Sequence, residues 1–247
     1  LSAVGANVTL FAMWTSLEDR AIDLPGNLNS ALTGPSGVIP AGEFTVEAWV
    51  YMRSNTQRTV FSEGTAVVSS DSRVYLTTHT DGKFYVRWGT SESGVSAEAP
   101  LNQWAHVALS RNGSGTPQFF LNGVQQTISG GTNSTSAPNA SGPFRVGVQV
   151  GDSSLFDGQI DQLKVWDKQL TAAQLTVSMH SHGDRGADGN AIRGDATLRA
   201  HYDFNSFSAG RVELNRSGSN NNLTYGSDIS STSVSYTHLT LPTKRIV

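Results

Sequence analysis

Phe44-Thr-Val-Glu-Ala-Trp-Val-Tyr-Met52 alternates without a slip. Phe44, Val46, Ala48, Val50 and Met52 share one side; Thr45, Glu47, Trp49 and Tyr51 share the other. A period of two is the mark of a strand with one face buried. The same texture continues downstream. Arg73–His79 and Lys83–Trp88 flank Asp81-Gly82, a pair suited to the positive φ of a tight hairpin turn. Trp104–Arg111, Gln118–Leu121, Phe144–Val150 and Gly158–Trp166 follow, with turn-forming residues at 112–117 and Asn122-Gly123. Many short strands separated by turns read as a sandwich or jelly roll. One helix is expected, with Thr171 capping Ala172–Met179.

Composition agrees with that reading and narrows the function. The 247 residues can bury a core without covalent staples. There is no cysteine, which excludes a disulfide framework, a thiol nucleophile and thiolate metal sites. Charged residues make up 15% of the chain, against roughly 25% in an average domain. With a net charge of -3 and no basic stripe, nothing offsets phosphate repulsion, which argues against nucleic acid. No apolar run approaches the roughly 20 residues of a membrane span.

The runs FTVEAWVYM (44–52), QWAHVALSRN (103–112), PQFFLNGVQ (117–125) and FDGQIDQLKVWDKQLTAAQL (156–175) stand in an order that resembles the laminin-G-like branch of the concanavalin A-like lectin/glucanase superfamily. Arg20–Gly26 resembles the strand that precedes them in that family. The resemblance implies an all-β, two-sheet antiparallel jelly-roll sandwich with one short helix. It also implies an extracellular binding or adhesion module, appended to a larger secreted or cell-surface protein, whose partner is a glycan or another protein. On this reading 1–182 is the jelly roll and 183–197 a glycine-rich connector. Residues 198–233 either close the sandwich with a final strand or open a second tandem repeat, at a period of about 215 residues. Val234–Leu239 resembles a translated transposon-end sequencing adaptor, so 234–247 is expected to be read-through rather than native sequence. With Leu1 in place of an initiator methionine, the chain is expected to be a fragment.

Glycosidase chemistry needs two carboxylates flanking a bond. No predicted strand carries acids at i and i+2, and Glu47 has Thr45 and Trp49 as its neighbours on that face. There is no G-x-S-x-G elbow and no P-loop spacing. The expectation is therefore a non-catalytic module, with a divergent glycoside hydrolase or a structural spacer repeat as alternatives.

Strand parity nominates a binding surface. If Phe44, Val46 and Val50 face the core, Trp49, Tyr51 and Arg53 face outward. By the same phase Tyr75 and His79 oppose Val74 and Leu76, while Tyr85 and Arg87 oppose Phe84 and Val86. Aromatic faces stack on sugar C–H patches and polar tips bond hydroxyls. The competing expectation is that Trp49 and its neighbours lie under a loop or the helix. Trp104 and Trp166 are expected to be structural.

Asp161 is the leading metal candidate. Plain alternation puts it on the inward face with Leu163 and Val165. The resemblance implies that such an acid, with Asp23 nearby, holds one structural calcium ion through oxygen ligands. The alternative is that Asp161 caps backbone N–H groups. His180 and His182 would need Asp184 or Asp188 to complete a metal site and are expected instead to be solvated loop histidines, and Arg193-Gly194-Asp195 matches an integrin-type tripeptide that is expected to have arisen by chance. Sequons occur at Asn7, Asn112, Asn133, Asn139, Asn215 and Asn222.

Overall fold

A computed structural model describes residues 20–65, 73–89, 91–113, 117–129, 142–181, 195–205, 212–213 and 220–233. The adaptor-like tail, most of the connector with His182, Asp184 and Asp188, the tripeptide's Arg193 and Gly194, and the sequons at Asn7, Asn133, Asn139 and Asn215 lie outside the described residues.

The first strands are β1 (Arg20–Pro25), β2 (Leu32–Ser36), β3 (Glu43–Met52) and β4 (Thr59–Glu63). Next come β5 (Val74–Thr78), β6 (Lys83–Trp88), β7 (Ser91–Glu98) and β8 (Trp104–Asn112). The middle of the chain gives β9 (Gln118–Leu121), β10 (Val124–Gln126), β11 (Ile128–Ser129), β12 (Pro143–Val146) and β13 (Asp157–Trp166). Helix α1 (Ala172–Met179) precedes β14 (Leu198–Tyr202), β15 (Val212–Glu213), β16 (Leu223–Tyr225) and β17 (Ser230–Ser233).

These strands make two antiparallel sheets stacked as a jelly-roll sandwich. Sheet A runs β10-β9-β8-β3-β13-β1-β17. Its strand β13 shares one edge between two partners: Asp157–Ile160 pair with β1, and Leu163–Trp166 pair with β14. Sheet B runs β11-β7-β6-β5-β4-β12-β2-β16-β15. The segment after residue 197 therefore contributes strands to both layers.

The inward parity of β3 is as the sequence implies. Phe44, Val46, Ala48, Val50 and Met52 are all buried between the sheets. Trp88 stacks on Phe44 at 4.9 Å, and Phe84 meets Phe119 at 5.0 Å across the gap. Tight turns fall at the signalled places. Gly82 (φ +75°) closes β5–β6, and Asn122 and Gly123 (φ +51° and +77°) close β9–β10. Gly158 is needed for a different reason: a Cβ there would lie 2.0 Å from the Tyr51 carbonyl oxygen.

Alternation breaks once in β13, with a consequence for the candidate site. Asp161 pairs with Trp49, but Lys164 pairs with Glu47, so Gln162 and Leu163 together face the single residue Ala48. Gln162 takes φ +49°, the left-handed backbone of a β-bulge. The extra residue shifts the phase. Leu163 and Val165 point into the main core, whereas Asp161 points to the opposite face with Trp49. The inward placement of Asp161 expected from plain alternation is thus corrected.

Helix α1 covers that opposite face. Thr171 accepts a hydrogen bond from the Gln174 backbone, and Gln174 accepts one from the Thr171 N–H, a reciprocal capping box. Leu175 then seals a second, smaller core with Ala108, Phe120, Trp166, Leu170 and Leu198.

Candidate functional site

The two sheets present very different outer faces. On sheet A, under the C-terminal turn of α1, the outward residues of β3, β8 and β13 form a buried polar cluster. Trp166 Nε1 donates to Glu47 Oε1 at 2.8 Å, and Ser178 Oγ donates to the same oxygen. His106 Nε2 lies 3.1 Å from Glu47 Oε2. Lys164 Nζ donates to the Ser178 carbonyl at 2.8 Å and to Ser181 Oγ at 2.7 Å. Trp49 Nε1 donates to the Met179 carbonyl at 2.9 Å. Two of the four carbonyls that a helix leaves unpaired at its C-terminus are therefore met by side chains of the sheet. Burial pushes the Glu47 carboxyl up, but Lys164 and His106 outweigh it and hold the group at about 2. Burial pulls the Lys164 ammonium below its ordinary value, against Glu47 and Asp161. Each charge is tolerated because the other is present.

This cluster fixes the fate of the expected aromatic platform on β3. Trp49 is 9% exposed and edge-on to His106, so its ring lies beneath the helix. Tyr51 packs edge-on to Trp104 at 5.8 Å. Arg53 bridges Asp23 and Asp157. The single platform expected from parity is corrected: β3 belongs to sheet A and β5–β6 to sheet B, so their outward residues lie on opposite sides of the sandwich. Parity gives the face of a strand within its own sheet and says nothing about which sheet that is.

The other four predicted residues do come together, on the outer face of sheet B. Tyr75 pairs with Arg87 and Thr77 with Tyr85 across β5–β6, and Tyr85 and Arg87 pair with Gly94 and Glu92 across β6–β7. The Tyr85 ring leans over Gly94, where a Cβ would come within 3.3 Å of the ring. His79 stacks on Tyr85 with ring centres 3.8 Å apart and planes at 19°. His79 Nε2 lies 2.8 Å from Glu92 Oε1, and the Tyr75 hydroxyl donates to Glu92 Oε2. The Arg87 guanidinium sits 5.8 Å above the Tyr75 ring. Tyr85 Oη donates to Asp81 Oδ2 at 3.1 Å. Tyr75 is buried at the base, whereas the His79 side chain is 41% exposed at the top. The result is a partly exposed stacked aromatic pair whose polar tips are already oriented by carboxylates.

Charges within this face are tuned toward fixed states. Burial and then Glu92 push the Tyr75 phenol up to about 12. The Lys83 backbone N–H holds the Asp81 carboxyl below its ordinary value, and the bond to Asp81 raises the Tyr85 phenol.

The calcium expectation does not fit the residues present. Asp161 Oδ1 accepts the Gln162 N–H at 2.7 Å, which stabilises the bulge, and the carboxylate faces Lys164. Asp23 is held by Arg53 and by Gln159 Nε2. Both acids already have cationic neighbours, and among the described residues no three acids or histidines gather as a metal-binding group.

Sequence reading missed Glu92, Asp81 and Gly94 as members of the face. β7 reads SESGVSAE, with no apolar alternation to mark it as a strand. Its available signal is the lone Gly94, since a strand glycine often marks a close approach.

A family model described as the concanavalin A-like lectin/glucanases superfamily, of laminin-G type, matches residues 25–176. No curated protein matches the sequence. Among solved structures, a candidate carbohydrate-binding protein from Bacteroides ovatus superposes with a TM-score of 0.65 at 18% identity. That match covers 88% of this chain but 60% of the other protein. Domain 4 of AbnA, a GH43 extracellular arabinanase from Geobacillus stearothermophilus solved with arabinotriose, gives a TM-score of 0.51 at 23% identity. It covers 64% of this chain and 75% of that domain. At these identities the likeness is one of fold.

Proposed function

This chain belongs to the concanavalin A-like lectin/glucanases superfamily, and we propose that it is a non-catalytic glycan-binding module of an extracellular protein, using the outer face of β5, β6 and β7. The observation that carries the proposal is the His79–Tyr85 stack laid over Gly94. It presents a ring surface to solvent beside Arg87, Glu92 and Asp81. Ring faces take the C–H side of a pyranose or furanose, and the fixed polar tips take its hydroxyls. That a related fold is known with arabinotriose lends support. Among the described residues no helix is long and apolar enough to cross a membrane.

The hydrolase alternative finds less support at this face. A glycosidase needs one carboxyl raised so that it can donate a proton; Asp81 is shifted the other way. Tyr75 against Glu92 has the makings of a phenol nucleophile, but its pKa is raised to about 12 and its ring is buried. Glu63 does have a raised carboxyl, at about 7. However, its oxygens accept the N–H groups of Gly37, Val38 and Ile39, and the residue is buried.

A glycan array compared across wild type, His79→Ala and Tyr85→Ala tests the proposal, with the melting temperature of each variant as a control. Wild type is expected to bind a defined set of glycans, and both variants to lose it while staying folded. Undiminished binding by folded variants would remove the site. An array with no bound glycan would remove the function.

A further inference from the structure

We propose that copies of this chain associate by exchanging the closing strands β14, β16 and β17, each copy seating them in the sandwich of another. The slot these strands occupy is built for them. Ala200, Tyr202, Phe204, Leu223, Tyr225 and Ile229 are buried in the main core. A Cβ on Gly34 would lie 2.9 Å from the Leu223 side chain, and one on Gly226 would lie 1.9 Å from the Asn29 carbonyl oxygen. Glycine at both positions lets the segment close onto β2 and onto residues 28–30.

One covalent tether apart, the segment is held by non-covalent contacts. β14 pairs with β13, β16 with β2, and β17 with β1. The Arg20 backbone N–H donates to Asn205 Oδ1 at 2.7 Å, and the Arg199 guanidinium donates to the Gly37 carbonyl at 2.6 Å. Inside the segment, Tyr202 Oη donates to the Asn221 carbonyl, and Asn221 Nδ2 donates to the Arg199 carbonyl at 3.1 Å. These bonds tie β14 to the approach of β16, so the strands travel together. Each contact with β1, β2 and β13 is made equally well by the same segment of a second copy.

Two features single out a second copy as the partner. The first is the segment's place in the sequence. The family model ends at residue 176, before it. The pattern Asn7-Val-Thr-Leu10 near the head of the chain recurs as Asn222-Leu-Thr-Tyr225 in β16. A strand that closes one sandwich thus carries the pattern that precedes β1. The second feature is reach. Residues 182–194, HGDRGADGNAIRG, are the only covalent link from Ser181 to Asp195, and at full extension they span about 45 Å. A tether of that length sets the segment's effective concentration in its own slot at about millimolar. With the same contacts in both forms, exchange competes with self-closure once protein concentration approaches that value. The proposal is independent of what the sheet B face binds.

The chain has no native cysteine, so disulfide trapping tests the exchange directly. Thr33 and Thr224 are exposed and directly opposed across β2 and β16, at a spacing of about 4.5–5.5 Å that a disulfide bridges. The double variant Thr33→Cys/Thr224→Cys is expected to form an intramolecular disulfide in dilute solution. A double variant that stays reduced would remove β16 from this slot, and the proposal with it. The single variants Thr33→Cys and Thr224→Cys are then mixed, unfolded in urea, refolded together near millimolar concentration and oxidised. Each lacks its own partner thiol, so the two thiols face each other only between copies. A covalent heterodimer is expected in about tenfold excess over either homodimer, because opposed strands raise the local concentration of the thiols. Wild type refolded in the same way is expected to give dimers or a longer series on size exclusion, and monomer when refolded dilute. Heterodimer and homodimers in the proportions of random collision, or wild type that stays monomeric throughout, would overturn the exchange.

Discussion

Lys164→Met removes one charge from the cluster under α1 and keeps the side-chain volume. The ammonium it deletes is buried, donates to the Ser178 carbonyl and Ser181 Oγ, and faces Glu47. Glu47 would then sit in the same dry site without its ammonium partner, beside the His106 ring. Breaking a buried ion pair from one side costs about 3–5 kcal/mol, because the remaining charge is uncompensated. The Glu47 carboxyl gives a second route to the figure. Held at about 2 against an ordinary carboxyl value of 4.5, the ionised form contributes on the order of 3 kcal/mol to the folded state. In a domain of this size each kcal/mol moves Tm by about 2–4 °C, so the variant is expected to melt about 6–20 °C lower. The sign of the pH dependence follows. The folded pKa is depressed, so the stabilisation is complete above about 4.5 and is lost as pH falls toward 2. Urea unfolding of wild type and Lys164→Met at pH 7 and pH 3 measures both effects, with the gap between them narrowing at the lower pH. A second variant, Lys164→Met with Glu47→Gln, is expected to recover part of the loss, since the carboxamide carries no uncompensated charge and its carbonyl oxygen still accepts from Trp166 Nε1 and Ser178 Oγ. A Lys164→Met protein within 1 kcal/mol of wild type at pH 7 would refute the reasoning, because Glu47 would then have solvent or another partner.

Three further outcomes follow from local geometry. Thr171→Ala removes the α1 cap and is expected to cost about 1 kcal/mol in urea unfolding, without touching the sheet B face. Gly94→Val places a Cβ 3.3 Å from the Tyr85 ring; glycan binding on the array is expected to fall at least about tenfold while Tm changes by only a few degrees. Gly158→Ala drives a Cβ to 2.0 Å from the Tyr51 carbonyl oxygen; backbone cannot step aside there, so a loss of about 3 kcal/mol or more is expected, read as a lowered Tm.

Much of the fold was legible because parity is a local property. The alternation of Phe44–Met52, the turn residues Asp81-Gly82 and Asn122-Gly123, and the Thr171 cap each act over a few residues and each appears where it is written. The site was half legible. Tyr75, His79, Tyr85 and Arg87 share one face because β5 and β6 are a hairpin, and a hairpin holds its two strands in one sheet. Trp49, Tyr51 and Arg53 failed to join them because sheet membership is decided by long-range pairing, which side-chain order along a strand does not encode. Asp161 was misplaced because the bulge puts a positive φ on Gln162, a residue type that gives no turn signal. Glu92 and Gly94 stayed hidden in β7, whose polar sequence is held in place by its neighbours on either side rather than by an apolar stripe.

The most direct measurement of the central claim is a crystal structure of the protein soaked with the glycan that binds best on the array. The account predicts a sugar ring lying against His79 or Tyr85, with hydroxyls near Arg87, Glu92 or Asp81. A sugar seated instead over α1 on the opposite sheet, with the β5–β7 face bare, would contradict it.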